Sequence, residues 1–123
     1  MNPSEANELI KTYLEEANTA AYGDNKQKGI DFLKLGLELL EAAFARDPLE
    51  PDKWWANLST NDSLKDNIDE FVSRCKRLDF TDQRANIIFG RRIERLRDSG
   101  HVEIFIELSK HLLAHRPNNH ELW

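Results

Sequence analysis

The chain has 123 residues, of which 40% are hydrophobic and 32% charged, and its formal net charge at pH 7 is −5. This length can bury a sizeable core without a metal or disulfide framework, and the single cysteine, Cys75, excludes an internal disulfide. The acidic balance argues against general affinity for nucleic acid, and no run approaches the ~20 apolar residues of a membrane span.

Two long helices are predicted in the first half of the chain. The first starts at Ser4, which can cap it, and stops at residues 23–25, Gly-Asp-Asn. The second runs from about Lys26 to Arg46, before Asp47 and Pro48. Its apolar residues form two stripes, so it is either the central helix of the domain or half-exposed and open to a partner, including a second copy of the chain. The stripes are Ile30-Leu33-Leu37-Leu40-Phe44 and Phe32-Leu35-Leu39-Ala42-Ala43.

Shorter elements follow in the second half. Residues 51–55 open a short helical turn, which the polar residues 59–63 close. Further helices are predicted at about 63–78, from 81 or 82 to about 98, and at about 101–115. The inner face of the last helix is predicted to contain Val102, Phe105, Leu108, Ser109, Leu112 and Leu113.

Period-two alternation, the mark of a strand, is absent from the sequence. We therefore predict a single all-α domain over residues 1–123, with about five helices and one short helical turn in antiparallel hairpins. The N-terminal sequence lacks the basic and apolar regions of a secretory signal, so the expected location is the cytoplasm, without membrane attachment.

Two segments of the chain end in a similar pattern. Each closes with a proline, Pro48 or Pro117, and a tryptophan follows six residues later, at Trp54 or Trp123. The two prolines are separated by almost two lengths of a ~34-residue repeat. Gly36 supplies a small residue where paired helices would approach each other.

On these residues, positions 30–58 and 100–123 resemble tetratricopeptide repeats. The middle of the chain departs from the pattern because it lacks the proline, and Phe105 occupies a position where the family has a small residue. The resemblance implies antiparallel helix pairs and the binding of a protein or peptide, and it implies no chemistry. A generic helical bundle or an α-solenoid fragment is the alternative fold. If the repeat pattern holds, Trp123 starts a further unit or packs on its own last hairpin or a second copy.

Basic residues cluster between positions 74 and 97. Among them Arg84, Arg91 and Arg95 fall within about 40° of one another on a helix face, at ~100° per residue. Such a stripe can receive carboxylates or phosphates in bidentate pairs. The alternative is that this stripe pairs with acidic residues in the first half of the chain, within one domain or across a dimer.

Trp54 and Trp55 are a second candidate contact. Adjacent residues on a helix point about 100° apart, so at most one of them is expected to be fully in the core. The other is a candidate surface anchor, because tryptophan is enriched at binding hot spots. Packing under the following loop is the alternative.

The histidines are weak candidates for a metal site. His111 and His115 lie four residues apart on one helix, with His120 nearby, a spacing found in zinc-binding helices. This ridge is predicted to face water, opposite Val102. Leu112 also occupies the position where a metalloprotease helix requires glutamate. We therefore expect no metal and no cofactor.

No phosphate-binding glycine loop, serine elbow or recognisable carboxylate pair is present, and Cys75 has no adjacent histidine. We expect a non-catalytic adaptor that binds a protein or peptide and can self-associate as a homodimer. The alternative is a small helical subunit of a nucleoprotein complex that contacts phosphates through the three arginines. The candidate partner-binding residues are Arg84, Arg91, Arg95, Trp54, Trp55 and Trp123.

Overall fold

The computed structural model describes residues 2–23, 25–59 and 61–115, except for the side chains of residues 62 and 66. This part of the chain forms seven α-helices and one 3-10 helix and contains no strand, so the predicted all-α fold is confirmed. The helices are α1 (Pro3–Tyr22), α2 (Lys26–Arg46), α3 (Asp52–Ser59), α4 (Ile68–Lys76), α5 (Gln83–Arg92), α6 (Glu94–Asp98) and α7 (Val102–Ala114), with the 3-10 helix Asp62–Asp66 between α3 and α4.

The two long helices begin at asparagine caps. Asn2 accepts a hydrogen bond from the backbone N–H of Glu5, and Asn25 accepts one from Lys28. Ser4, the predicted cap of α1, already lies inside that helix. Pro3 explains the earlier start, because it needs no partner for an N–H at the first helical position, while the asparagine before it can satisfy one of the open donors.

The helix predicted at 82–98 is divided into α5 and α6 at Ile93. The Ile93 amide still bonds to the carbonyl of Phe89, but the Leu96 amide returns to Ile93 itself, at 2.9 Å. This i-to-i+3 bond tightens the backbone for one turn. The predicted break before α7 is present, and Gly100 adopts a φ of 92°, which favours glycine.

α1 and α2 form an antiparallel hairpin whose axes approach closely at two glycines. A Cβ atom built on Gly36 would lie 3.2 Å from Cδ2 of Leu14, and one on Gly29 would lie 3.2 Å from the carbonyl oxygen of Ala17. Gly36 therefore lies at the close approach that the sequence suggested, and a larger residue there would crowd the side chain of Leu14. The helical-hairpin architecture is present in this part of the chain.

The first stripe of α2 is covered and the second only in part. The side chains of the first stripe from Leu33 to Phe44 are buried, whereas Leu35 of the second stripe is 40% exposed. Phe32 and Leu39 are half-buried at its edge, and Phe32 packs on Tyr13 with ring centroids 6.0 Å apart. Of the two alternatives for this helix, the structure shows the half-exposed one.

The second half of the fold packs around aromatic side chains. α3 lies against α5 and α6, and α4 lies against α2 and α7. Phe80 stacks on Phe89 with ring centroids 4.5 Å apart, and Phe44 of α2 contacts the edge of this pair. The first and second halves thus share one core. No helix among the described residues combines the length and apolarity required to cross a bilayer.

Candidate functional site

The arginines of the basic segment fall into two groups. Arg74, on α4, is bonded to Glu70 of the same helix at 2.7 Å and to Glu41 of α2 at 2.9 Å. Arg92, at the end of α5, binds Asp52 of α3 through Nε at 2.7 Å. These two arginines therefore join neighbouring helices of the domain.

Arg84, Arg91 and Arg95 form the second group. All three are exposed, and none makes an ion pair with any residue that the structure describes. Arg84 and Arg91 lie two turns apart on α5, and Arg95 follows one turn later on α6. The internal pairing considered for this stripe is therefore not observed, and its guanidinium groups point to solvent.

Beside these arginines, α5 and α7 enclose a groove of about 320 Å³. The two helices meet at its floor, where a Cβ atom on Gly90 would lie 3.4 Å from Cδ1 of Leu112. Below the floor, the fully buried Asn86 donates through Nδ2 to the carbonyl oxygens of Phe80 and Leu112, both at 2.9 Å. The residues that line the groove are Ile87, Gly90, Arg91, Glu94, Phe105, Ser109, Leu112 and Leu113.

The outer face of α7 is more apolar than expected. Val102 is 46% exposed and Ile106, one turn later, is 45% exposed, although Val102 was predicted to face inward. Only Leu108 and Leu112 are buried on this helix. At ~100° per residue, Val102 and Ile106 form an exposed row on the same side of α7 as Leu113, which lines the groove. The sequence contained the signal, because residues 102–106 are apolar at four of five positions and a helix cannot bury all of them on one side.

Trp54 and Trp55 are both buried, with 8% and 4% of their surface exposed. The expectation that at most one would be fully in the core is therefore wrong. α3 is short and lies between two layers, so both of its sides are covered. Trp54 Nε1 donates to Oδ1 of Asn7 at 2.9 Å, and Trp55 meets Phe89 edge-on at 5.0 Å. In this conformation neither indole offers a surface to a partner.

His111 and His115 of α7 are half-buried and do not face water as fully as predicted. His111 is partly buried against Phe80, and its Nε2 lies 3.3 Å from the carbonyl oxygen of Leu78. Nδ1 of His115 lies 2.8 Å from the carbonyl oxygen of His111. Burial lowers the pKa of His111; the contact with the Leu78 carbonyl partly opposes this effect, and the nearby charges of His115 and Lys76 lower the pKa further.

Metal-ligating residues do not converge in the described residues, where no group of three or more histidine, cysteine, aspartate or glutamate side chains could hold an ion. Cys75 is completely enclosed, and this burial raises the pKa of its thiol. A thiol in such surroundings stays protonated and unreactive at neutral pH. His120 and Trp123 lie outside the described residues.

A second concavity, of about 450 Å³, lies between α2 and the turn before α5. Its polar side chains already have structural partners. Glu41 binds Arg77 at 2.8 Å, Asp79 accepts the amide of Thr81, and Asp82 caps α5. These groups hold the backbone in place, and they do not form a nucleophile and base pair.

No protein-family model, curated protein or solved structure matches this chain.

Proposed function

We propose that this chain is a non-catalytic interaction module that holds a protein or peptide partner on the face formed by α5, α6 and α7. The observation that carries the proposal is the adjacency of two unsatisfied features on this face. Arg84, Arg91 and Arg95 make no ion pair with a described residue, Arg91 lines a groove with Phe105 and Leu113 of α7, and Val102 and Ile106 of the same helix remain about half exposed. Charged donors next to exposed apolar surface are typical of recognition sites.

The helix pairs are also compatible with a tetratricopeptide-like arrangement, and we include this relationship in the proposal. Gly36 allows α1 and α2 to approach, as the sequence resemblance implied, and Gly100 separates α6 from α7. Such modules present helix faces to extended or helical peptides. A cytoplasmic location is part of the same proposal, since the one cysteine is an enclosed free thiol.

The proposal is tested by selecting ligands for the intact chain from a random peptide display library. Binders are then measured against Ile106→Glu, which places a charge in the middle of the exposed row. The matched control is Leu35→Glu, which makes the same change at a similarly exposed position on α2. We expect Ile106→Glu to abolish binding and Leu35→Glu to leave it intact. Recovery of no peptide, or peptide affinity that Ile106→Glu does not change, would refute the proposal that this face binds the partner.

A second function is favoured by the same three arginines, which could pair with phosphates in a nucleoprotein complex. Single-stranded RNA titrated at low salt provides the test. Affinity that falls steeply with salt and is lost on neutralising Arg84, Arg91 and Arg95 would support this function. No binding at low salt would remove it.

A further inference from the structure

The groove between α5 and α7 combines an apolar floor with a positive rim. Gly90 and Leu112 form the floor, and Phe105 and Leu113 extend it along α7. Arg91 lines the rim, with Arg84 two turns before it and Arg95 one turn after it. Glu94 is the acidic member of the lining residues.

We propose that this groove binds a short acidic peptide, whose apolar side chains enter between Ile87 and Leu113 while its carboxylates pair with Arg84, Arg91 and Arg95. This inference rests on the proposed function and names the chemistry of the partner. Exposed guanidinium groups bind carboxylates in planar, bidentate pairs. Elsewhere in the same protein, Arg74 and Arg92 already bind glutamate and aspartate.

The dimensions of the surface set the size of the partner. Phe105, Ser109 and Leu113 are successive i, i+4 positions on α7 and therefore span about 12 Å. Arg84 and Arg91 lie about 10 Å apart along α5 at the same rise per residue, and Arg95 lies about one turn further on, in α6. A peptide helix of two to three turns matches this length. Its apolar residues would recur every three or four positions, with aspartate or glutamate on the flank facing α5.

Single-stranded nucleic acid fits the surface less well than an acidic peptide. Base stacking needs exposed aromatic rings, but Phe105 is half-buried and Arg97 lies over its ring at 5.3 Å. The net charge of −5 also repels a polyanion that extends beyond the arginines. A short peptide touches only the local positive rim and uses the apolar floor, which phosphates would leave empty.

The test uses a display library of random peptides about 12 residues long, which corresponds to roughly three helical turns. Selections are run in parallel on the intact chain and on the variant Arg84→Gln, Arg91→Gln, Arg95→Gln. The matched control is Lys11→Gln, Lys34→Gln, Lys65→Gln, which removes the same number of charges from exposed positions on other elements. Circular dichroism and thermal unfolding confirm that each variant is folded.

We expect the peptides selected on the intact chain to be enriched in aspartate and glutamate spaced between large apolar residues. Synthetic copies should bind the arginine variant about tenfold or more weakly, and the lysine variant with nearly unchanged affinity. Replacing the acidic residues of a selected peptide by their amides should cause a loss similar to that of the arginine variant. Ile106→Ser should weaken binding through the apolar contact instead.

The outcomes separate this inference from the proposed function. Peptides that require Ile106 but show no acidic enrichment would overturn the inference and leave an interaction module. Recovery of no peptide would overturn both. Dimerisation that Ile106→Glu abolishes would identify a second copy as the occupant and overturn the acidic-peptide assignment. Tight binding of single-stranded RNA that competes with the peptides would overturn it as well.

Discussion

At the scale of single residues, an arginine–carboxylate contact contributes more to stability when it is partly buried than when it is exposed. The side chain of Arg74 is 14% exposed and holds Glu70 and Glu41 at the junction of α4 and α2. The side chain of Arg92 is 43% exposed, and it binds only Asp52. Solvent weakens the second contact, whereas loss of Arg74 leaves partly buried carboxylates facing each other.

We therefore predict that Arg74→Gln lowers the free energy of unfolding by about 2 kcal/mol. Arg92→Gln, the matched control at an exposed pair, should cost less than about 1 kcal/mol. Urea denaturation of both variants measures the difference. Equal losses would mean that burial does not distinguish these two ion pairs.

His111 gives a prediction about pH. Because burial lowers the pKa of His111 in the folded chain, the unfolded chain binds a proton more readily below the usual histidine pKa of about 6.5. The stability that neutral His111 contributes is thus present above this pH and is lost as the pH falls below it. His111→Gln should flatten the fall of the unfolding midpoint between neutral pH and about pH 5.5.

The control for this prediction is His101→Gln, which removes a histidine from the start of α7 without touching the Leu78 contact. Thermal unfolding monitored by circular dichroism at several pH values measures both variants. If His101→Gln flattens the profile and His111→Gln does not, the buried histidine is not the group responsible.

At the scale of elements, the closeness of α1 and α2 depends on Gly36. A valine there would meet Leu14 in the core, so we predict that Gly36→Val destabilises the fold by about 1–3 kcal/mol despite the poor helix propensity of glycine. Gly23→Val is the matched control. Gly23 has extended backbone just after α1, and the nearest atom to an added Cβ is 3.8 Å away. Chemical denaturation should show little change for the control.

The sequence predicted the long helices well because their signals are local. Apolar periodicity, an asparagine or serine near the start and glycine or proline after the end lie within a few residues of each helix. Which face of α7 turns inward is a different question. Residues 102–106 are apolar on several sides, and only contacts with α4, α5 and α6 decide that Val102 and Ile106 stay outside.

The groove between α5 and α7, with its arginines, could be predicted only in part, for a similar reason. Helical spacing alone places Arg84, Arg91 and Arg95 on one side. Their lack of partners could not be predicted, because ion pairs between helices depend on how the helices dock. Arg74 and Glu41, for example, are 33 positions apart and pair only once α4 has docked on α2. The apolar half of the groove was missed because its residues were assigned to the interior.

At the scale of the whole molecule, one chain supplies the complete core that the structure describes. Phe71, Phe80 and Phe89, the largest fully buried side chains, contact residues of their own chain. Because this core is enclosed by helices of one chain, we predict that the protein folds without a second copy and that its thermal unfolding midpoint is independent of protein concentration. Calorimetry over a wide concentration range provides the measurement.

A midpoint that rises with concentration would contradict this prediction and reveal a dimer linked to folding. The exposed stripe of α2 is the surface to examine in that case. Leu35→Glu should then abolish the rise, while Ile106→Glu should leave it unchanged, because the two residues lie on different helices and α2 has no part in the α5–α7 groove.

The carboxamide of Asn86 is also an NMR probe of the proposed groove. The two hydrogen bonds that its Nδ2 donates tie α5 to the turn at Phe80 and to the last turn of α7, one helical turn before Gly90. Enclosed carboxamide protons exchange slowly with solvent and give separate NMR resonances. A ligand that spreads α5 from α7 would shift and expose the proton donated to Leu112 while sparing the one donated to Phe80. One side chain can thus distinguish a groove that opens from a groove that is merely filled.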